Sequence, residues 1–121
     1  MNAAVLQART DTSKPRVVNC VGAPVFDNLK HALLDECLES GVGLVGVTAQ
    51  ESWNETVEAM ESLQHVKHVV RTHGRAFILE RKADLLLPEN QDKVGVVMGF
   101  QNPKPFSDSL GLLAGFLDMG L

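Results

Sequence analysis

The chain has 121 residues and a mass of 13.1 kDa, room for one domain with a modest core. Its 45% hydrophobic and 21% charged content excludes a disordered chain, and a net charge of -4 with both signs well mixed excludes the basic stripe of a nucleic-acid surface or an anionic-membrane patch. Tyr is absent and aromatics make up 5%, which argues against base-stacking platforms, while no apolar stretch approaches the ~20 residues that span a membrane.

Residues 1–15 read as a loose polar leader, and their Ala3-Ala4-Val5-Leu6 run is too short for a signal-peptide core. Residues 16–121 read as one domain. Arg16-Val17-Val18-Asn19-Cys20-Val21 is the first strand, closed by Gly22 and Pro24. From Asn28 to Ser40, Leu29, Ala32, Leu33, Cys37 and Leu38 follow helical spacing, with Asp27 as cap and Gly41 as stop. Leu44-Val45-Gly46-Val47 is a second strand, apolar on both faces.

Ser52 and Glu55 form an S-x-x-E capping pattern ahead of a long helix. Its expected buried stripe is Trp53, Val57, Met60, Leu63, Val66 and Val70, and Gly74 is its stop. Ala76-Phe77-Ile78-Leu79 suits a short strand, and the apolar run from Arg81 to Leu87 suits a short helix broken by Pro88. Val94 to Phe100 is a buried strand with an abrupt polar tip, Gln101-Asn102, and Leu110 to Met119 is a last helix. Strands alternating with helices indicate α/β architecture with a parallel sheet. An open doubly wound sheet and the first units of a (β/α)8 barrel both satisfy this pattern, and composition does not choose between them.

Several motifs yield to plain structural readings. Gly41-Val42-Gly43-Leu44-Val45-Gly46 matches G-x-G-x-x-G, but these glycines follow a helix and enter a strand, the reverse of a dinucleotide site. His65, His68 and His73 lack the spacing of four that brings two helical rings to one metal, so they read as a solvated face, as does His31. Cys20 and Cys37 lack paired spacing and read as small buried hydrophobes in a reducing, cytoplasmic setting. The remaining candidate is Gln101-Asn102, because α/β proteins place their chemistry at the carboxyl ends of strands. An amide pair there also forms turns readily.

From Lys93 onward the chain resembles the renal (membrane) dipeptidase family of metallopeptidases. The resemblance rests on Val94-Gly95-Val96-Val97-Met98-Gly99-Phe100-Gln101-Asn102, on the helix Leu110 to Leu121, and on the upstream Lys82-Ala83-Asp84-Leu85. It implies a (β/α)8 barrel whose mouth holds two zinc ions that activate a hydroxide for attack on a small dipeptide-like substrate. The family's bridging Glu falls at Gln101, and its first-strand His-x-Asp falls at about Val21 and Ala23. The closest likeness is to a divergent branch that carries G-F-Q-N and lacks the His-x-Asp.

The resemblance therefore leads to an expectation of an amino-terminal barrel piece, with residues 16–121 forming its first βα units. Gln101 and Asn102 would line the rim, as a weak metal contact or as hydrogen-bond partners of the substrate. The piece itself is expected to be inactive, and its free sheet edge invites homo-oligomers. Two alternatives stand beside this expectation: a barrel-derived binding protein that has lost the chemistry, and a complete small doubly wound domain.

Overall fold

The structure is a computed structural model that describes residues 17–19, 29–50, 55–106 and 109–121. In chain order the elements are β1 (Val17–Asn19), α1 (His31–Glu39), β2 (Val42–Gln50), α2 (Thr56–His73), β3 (Ala76–Ile78), β4 (Val94–Phe100) and α3 (Gly111–Asp118). The four strands form one parallel sheet in the order β1-β2-β4-β3. β1, β2 and β4 thus lie side by side in chain order, and β3 is added along the first three residues of β4.

Parallel register decides what each face of the sheet does. Val45 pairs with Val96, Val47 with Met98 and Ala76 with Val94, so these side chains share one face. They lie in a single buried cluster with Leu34 and Leu38 of α1, Leu63 and Val66 of α2, and Phe116 of α3. All three described helices therefore pack on the same face. A doubly wound sheet divides its helices between two faces, and that alternative fails here.

The other face carries Leu44, Gly95 and Phe77 in one row, then Gly46 with Val97, then Thr48 with Gly99. Gly95 is required at its place. A Cβ there would lie 2.5 Å from Leu44 Cδ2 and 3.0 Å from Phe77 Cζ, because those side chains close over it from the flanking strands.

The helices depart from the sequence expectation in instructive ways. α1 is capped at Lys30 without a side-chain bond, and its buried residues are Leu34, Cys37 and Leu38. Leu34 replaces the expected Ala32, which is exposed, and Leu33 is half-buried. The proposed cap, Asp27, lies outside the described residues.

In α2, Leu63, Val66 and Val70 are buried as the stripe requires, joined by Ala59, Ser62 and Val69. Val57 and Met60 are instead 65% and 44% exposed, because the small side chain of Ala59 faces the sheet in their place. Ser62 tolerates burial because its hydroxyl donates to the Glu58 carbonyl at 2.7 Å. Glu55 is the N-cap, without a side-chain bond, so it does not act as the third helical residue of a capping box; Ser52 and Trp53 lie outside the described residues. Gly41 and Gly74 end the two helices at φ of 77° and 79°, values an L side chain adopts only under strain.

His73 is not on a solvated face. Only 5% of its side chain is accessible, its Nδ1 accepts the Arg75 N–H at 3.2 Å, and Nε2 lies 2.8 Å from Asp35 Oδ1. Since Nδ1 accepts, Nε2 carries the proton and donates to Asp35, which joins α2 to α1. Thr72 donates its hydroxyl proton to the His68 carbonyl at 2.8 Å, so at 2.9 Å the His31 Nε2–H is the donor to Thr72. His65 and His68 are exposed, as expected. Because α2 returns from the end of β2 to the start of β3, His73 sits at the amino end of the sheet, away from Gln101.

The segment between β3 and β4 folds as two short 3-10 turns, Lys82–Leu86 and Pro88–Asn90. Asp84 accepts the N–H groups of Glu80 and Arg81 at 3.1 and 2.8 Å, and buried Asn90 donates to the Asp84 carbonyl at 2.9 Å. This explains the Lys82-Ala83-Asp84-Leu85 element as a turn lock. Leu63→Ala, at a fully buried site, should cost about 2–5 kcal/mol in urea unfolding. Val57→Ala should stay within about 0.5 kcal/mol, since Val57 lies off the core.

Candidate functional site

β4 ends at Phe100, and Gln101 is exposed and Asn102 half-buried immediately beyond it, at the carboxyl end of the sheet. β2 reaches the same end through a register shift between Thr48 and Gln50, with Gln50 paired to Phe100. Two adjacent strands therefore end at one rim.

The start of α2 is tied to the loop that follows β4. The Thr56 hydroxyl, at the start of α2, donates to the Pro105 carbonyl, and Lys104 Nζ lies 3.9 Å from Glu55 Oε1. Asn102 Oδ1 accepts the Lys104 N–H at 3.0 Å, a turn held by a side-chain oxygen. Pro105 is fully buried in the 3-10 turn Lys104–Phe106. Beneath it, Phe100 and Phe116 meet edge-on with centroids 5.0 Å apart, and Phe106 stacks on Phe100 at 6.3 Å. The aromatic trio seats the loop, so the rim beside Gln101 rests on packed side chains.

In chemistry this rim offers neutral amides that donate and accept hydrogen bonds. Among the described residues it offers no dinuclear zinc set. Gln101 is a weak partner for two dications, and Glu55 at this rim is paired with a lysine. Among the described residues no three His, Cys, Asp or Glu side chains are grouped to hold a metal. Val21 and Ala23 lie outside the described residues, as does Cys20; Cys37 is buried and not in a disulfide. Among the described residues no helix is long and apolar enough to cross a membrane.

Neither a family model nor a curated protein matches the sequence. Among solved structures, an amidohydrolase from Pseudomonas aeruginosa aligns over 97% of this chain with a TM-score of 0.78 and 19% identity. The chain shares its fold with part of that structure. The chain spans 34% of that protein's length. Closed into a (β/α)8 barrel, such a sheet would turn its helical face outward and Leu44, Val97 and Gly99 toward the lumen.

The sequence reading placed Gln101 and Asn102 at the end of the strand but missed the Thr56 and Glu55 contacts that hold the loop beside them. Those contacts join positions 49 residues apart, and only the capping pattern at Ser52 and Glu55 hinted that this helix start was structured. Replacing Asn102 with Ala should speed hydrogen exchange at the Lys104 amide and cost about 0.5–1.5 kcal/mol in local opening. An unchanged Lys104 exchange rate would show that Asn102 does not hold the turn.

Proposed function

We propose that residues 16–121 form the amino-terminal part of a dipeptidase-like metallohydrolase barrel. The longer protein cleaves a dipeptide or related small amide, and the chain alone is inactive. One observation carries the reading: helices cover a single face of a parallel sheet that aligns with an amidohydrolase wall over nearly its whole length. At the rim of that wall Gln101 and Asn102 hydrogen-bond the amide and carboxylate groups of the substrate. A cytoplasmic setting belongs to the same proposal and is supported by two cysteines without paired spacing.

The zinc chemistry that the resemblance implies needs ligands beyond the described residues, and no step is assigned to a metal here. A second reading, a barrel-derived binding protein without hydrolysis, is favoured by Gln101 in the place of a bridging carboxylate. Histidines on later strands of the reading frame past Leu121 would favour the enzyme, and their absence the binder. The 121 residues assayed with dipeptides and added zinc should give no turnover. Hydrolysis that a chelator abolishes would overturn the inactivity of the chain.

A further inference from the structure

His73 ends α2 with its ring almost wholly covered, 5% of the side chain being accessible. A neutral imidazole has one N–H donor and one bare nitrogen that accepts, and here both are used. Nε2–H donates to Asp35 Oδ1 at 2.8 Å, and Nδ1 accepts the Arg75 N–H at 3.2 Å. The imidazolium cation carries a proton on each nitrogen and accepts nothing. A proton added at Nδ1 would face the Arg75 N–H, donor against donor, so that bond breaks.

The residue it would release is a joint. Arg75 lies between Gly74, at φ of 79°, and Ala76, the first residue of β3. Its carbonyl accepts the Val94 N–H at 3.1 Å, and its Nη2 donates to the Asp92 carbonyl at 3.4 Å. Arg75 thus ties the end of α2 to the starts of β3 and β4. β3 is three residues long and lies at an edge of the described sheet. A short edge element opens at lower cost than the centre of a sheet.

The groups around the ring decide which tie a proton removes. Asp35, on α1, keeps its partner in either form, since both carry a proton on Nε2. His31, also on α1, meets the His73 ring edge-on with centroids 5.2 Å apart and donates its Nε2–H to Thr72. Arg75 offers the ring its backbone N–H, while its guanidinium reaches Asp92. On α2 itself, His68 and Arg71 are exposed. Protonation therefore leaves the tie to α1 in place and removes the tie to β3.

We infer that His73 is a proton-operated latch on the start of β3: neutral, it holds the Arg75 amide, and protonated, it releases that amide while keeping Asp35. The Arg75 contact is present above the titration of the ring and lost below it. Imidazole is the side chain that ordinarily changes charge between about pH 5 and 8. The latch lies at the amino end of the sheet, so it is independent of the rim and of any reading of the reaction.

NMR of the full chain, following ring nitrogens and amide exchange from about pH 8 to about pH 5, tests it. At the upper end His73 should show the Nε2–H tautomer. As the ring titrates, protection of the Arg75 amide, corrected for the intrinsic pH dependence of exchange, should fall at least about tenfold with the same midpoint. The amides that pair β2 with β4 should keep their protection. His73→Gln should abolish the response, and His31→Gln should leave it. An Nδ1–H tautomer at the upper end, a ring that stays neutral throughout, or Arg75 protection that ignores the ring titration would each overturn the latch. So would a loss shared equally by the β2–β4 amides, or a response that survives His73→Gln or vanishes with His31→Gln.

Discussion

The in-register pairing of β2 with β4 is the constraint on which the rest of the molecule depends. Parallel partners present side chains to the same face, so Val45 with Val96 and Val47 with Met98 make one continuous apolar surface. Every described helix is spent covering that surface. The opposite face is left to Leu44, Thr48, Phe77, Val97 and three glycines, a lining without a packed helix among the described residues. Gly95 shows how closely that face is filled, since the side chains of both flanking strands already occupy the space of its missing Cβ.

The same pairing places the rim. Because β2 and β4 are neighbours, their carboxyl ends lie side by side, and Thr56 at the start of α2 can reach Pro105 while Glu55 approaches Lys104. The Phe100, Phe106 and Phe116 cluster then anchors the loop from below. Gln101 and Asn102 stand on a supported platform as a result, whereas His31 and His73 meet edge-on at the far end of the sheet. There His73 and Asp35 act as a fastening between helices, with both ring nitrogens of His73 in use.

Much of the chain was legible before any coordinates. The strand from Val94 to Phe100, the helix stops at Gly41 and Gly74, and the inward run of Leu63, Val66 and Val70 follow from local periodicity and backbone sterics. The failures share one cause. Whether Leu34 or Ala32 faces inward, whether Val57 and Met60 belong to the core, and whether His73 is solvated all depend on how a helix is rolled against its neighbours. Spacing along the helix bounds that rotation but does not set it, and an alanine at position 59 shifts the contact line by admitting the sheet more closely.

At the rim the division is similar. The position of Gln101-Asn102 at a strand end is a local fact, readable from an apolar run that stops at two amides. Its fixation by Thr56, Glu55 and the phenylalanines is a matter of contacts distant in sequence. The sequence alone determined element type and order, because hydrogen-bonding periodicity and glycine conformations act over a few residues. Only the tertiary structure decided that the helices share one face, that β4 lies between β2 and β3, and that the amides meet the α2 start, because strand neighbours and faces are chosen by burial across the whole chain.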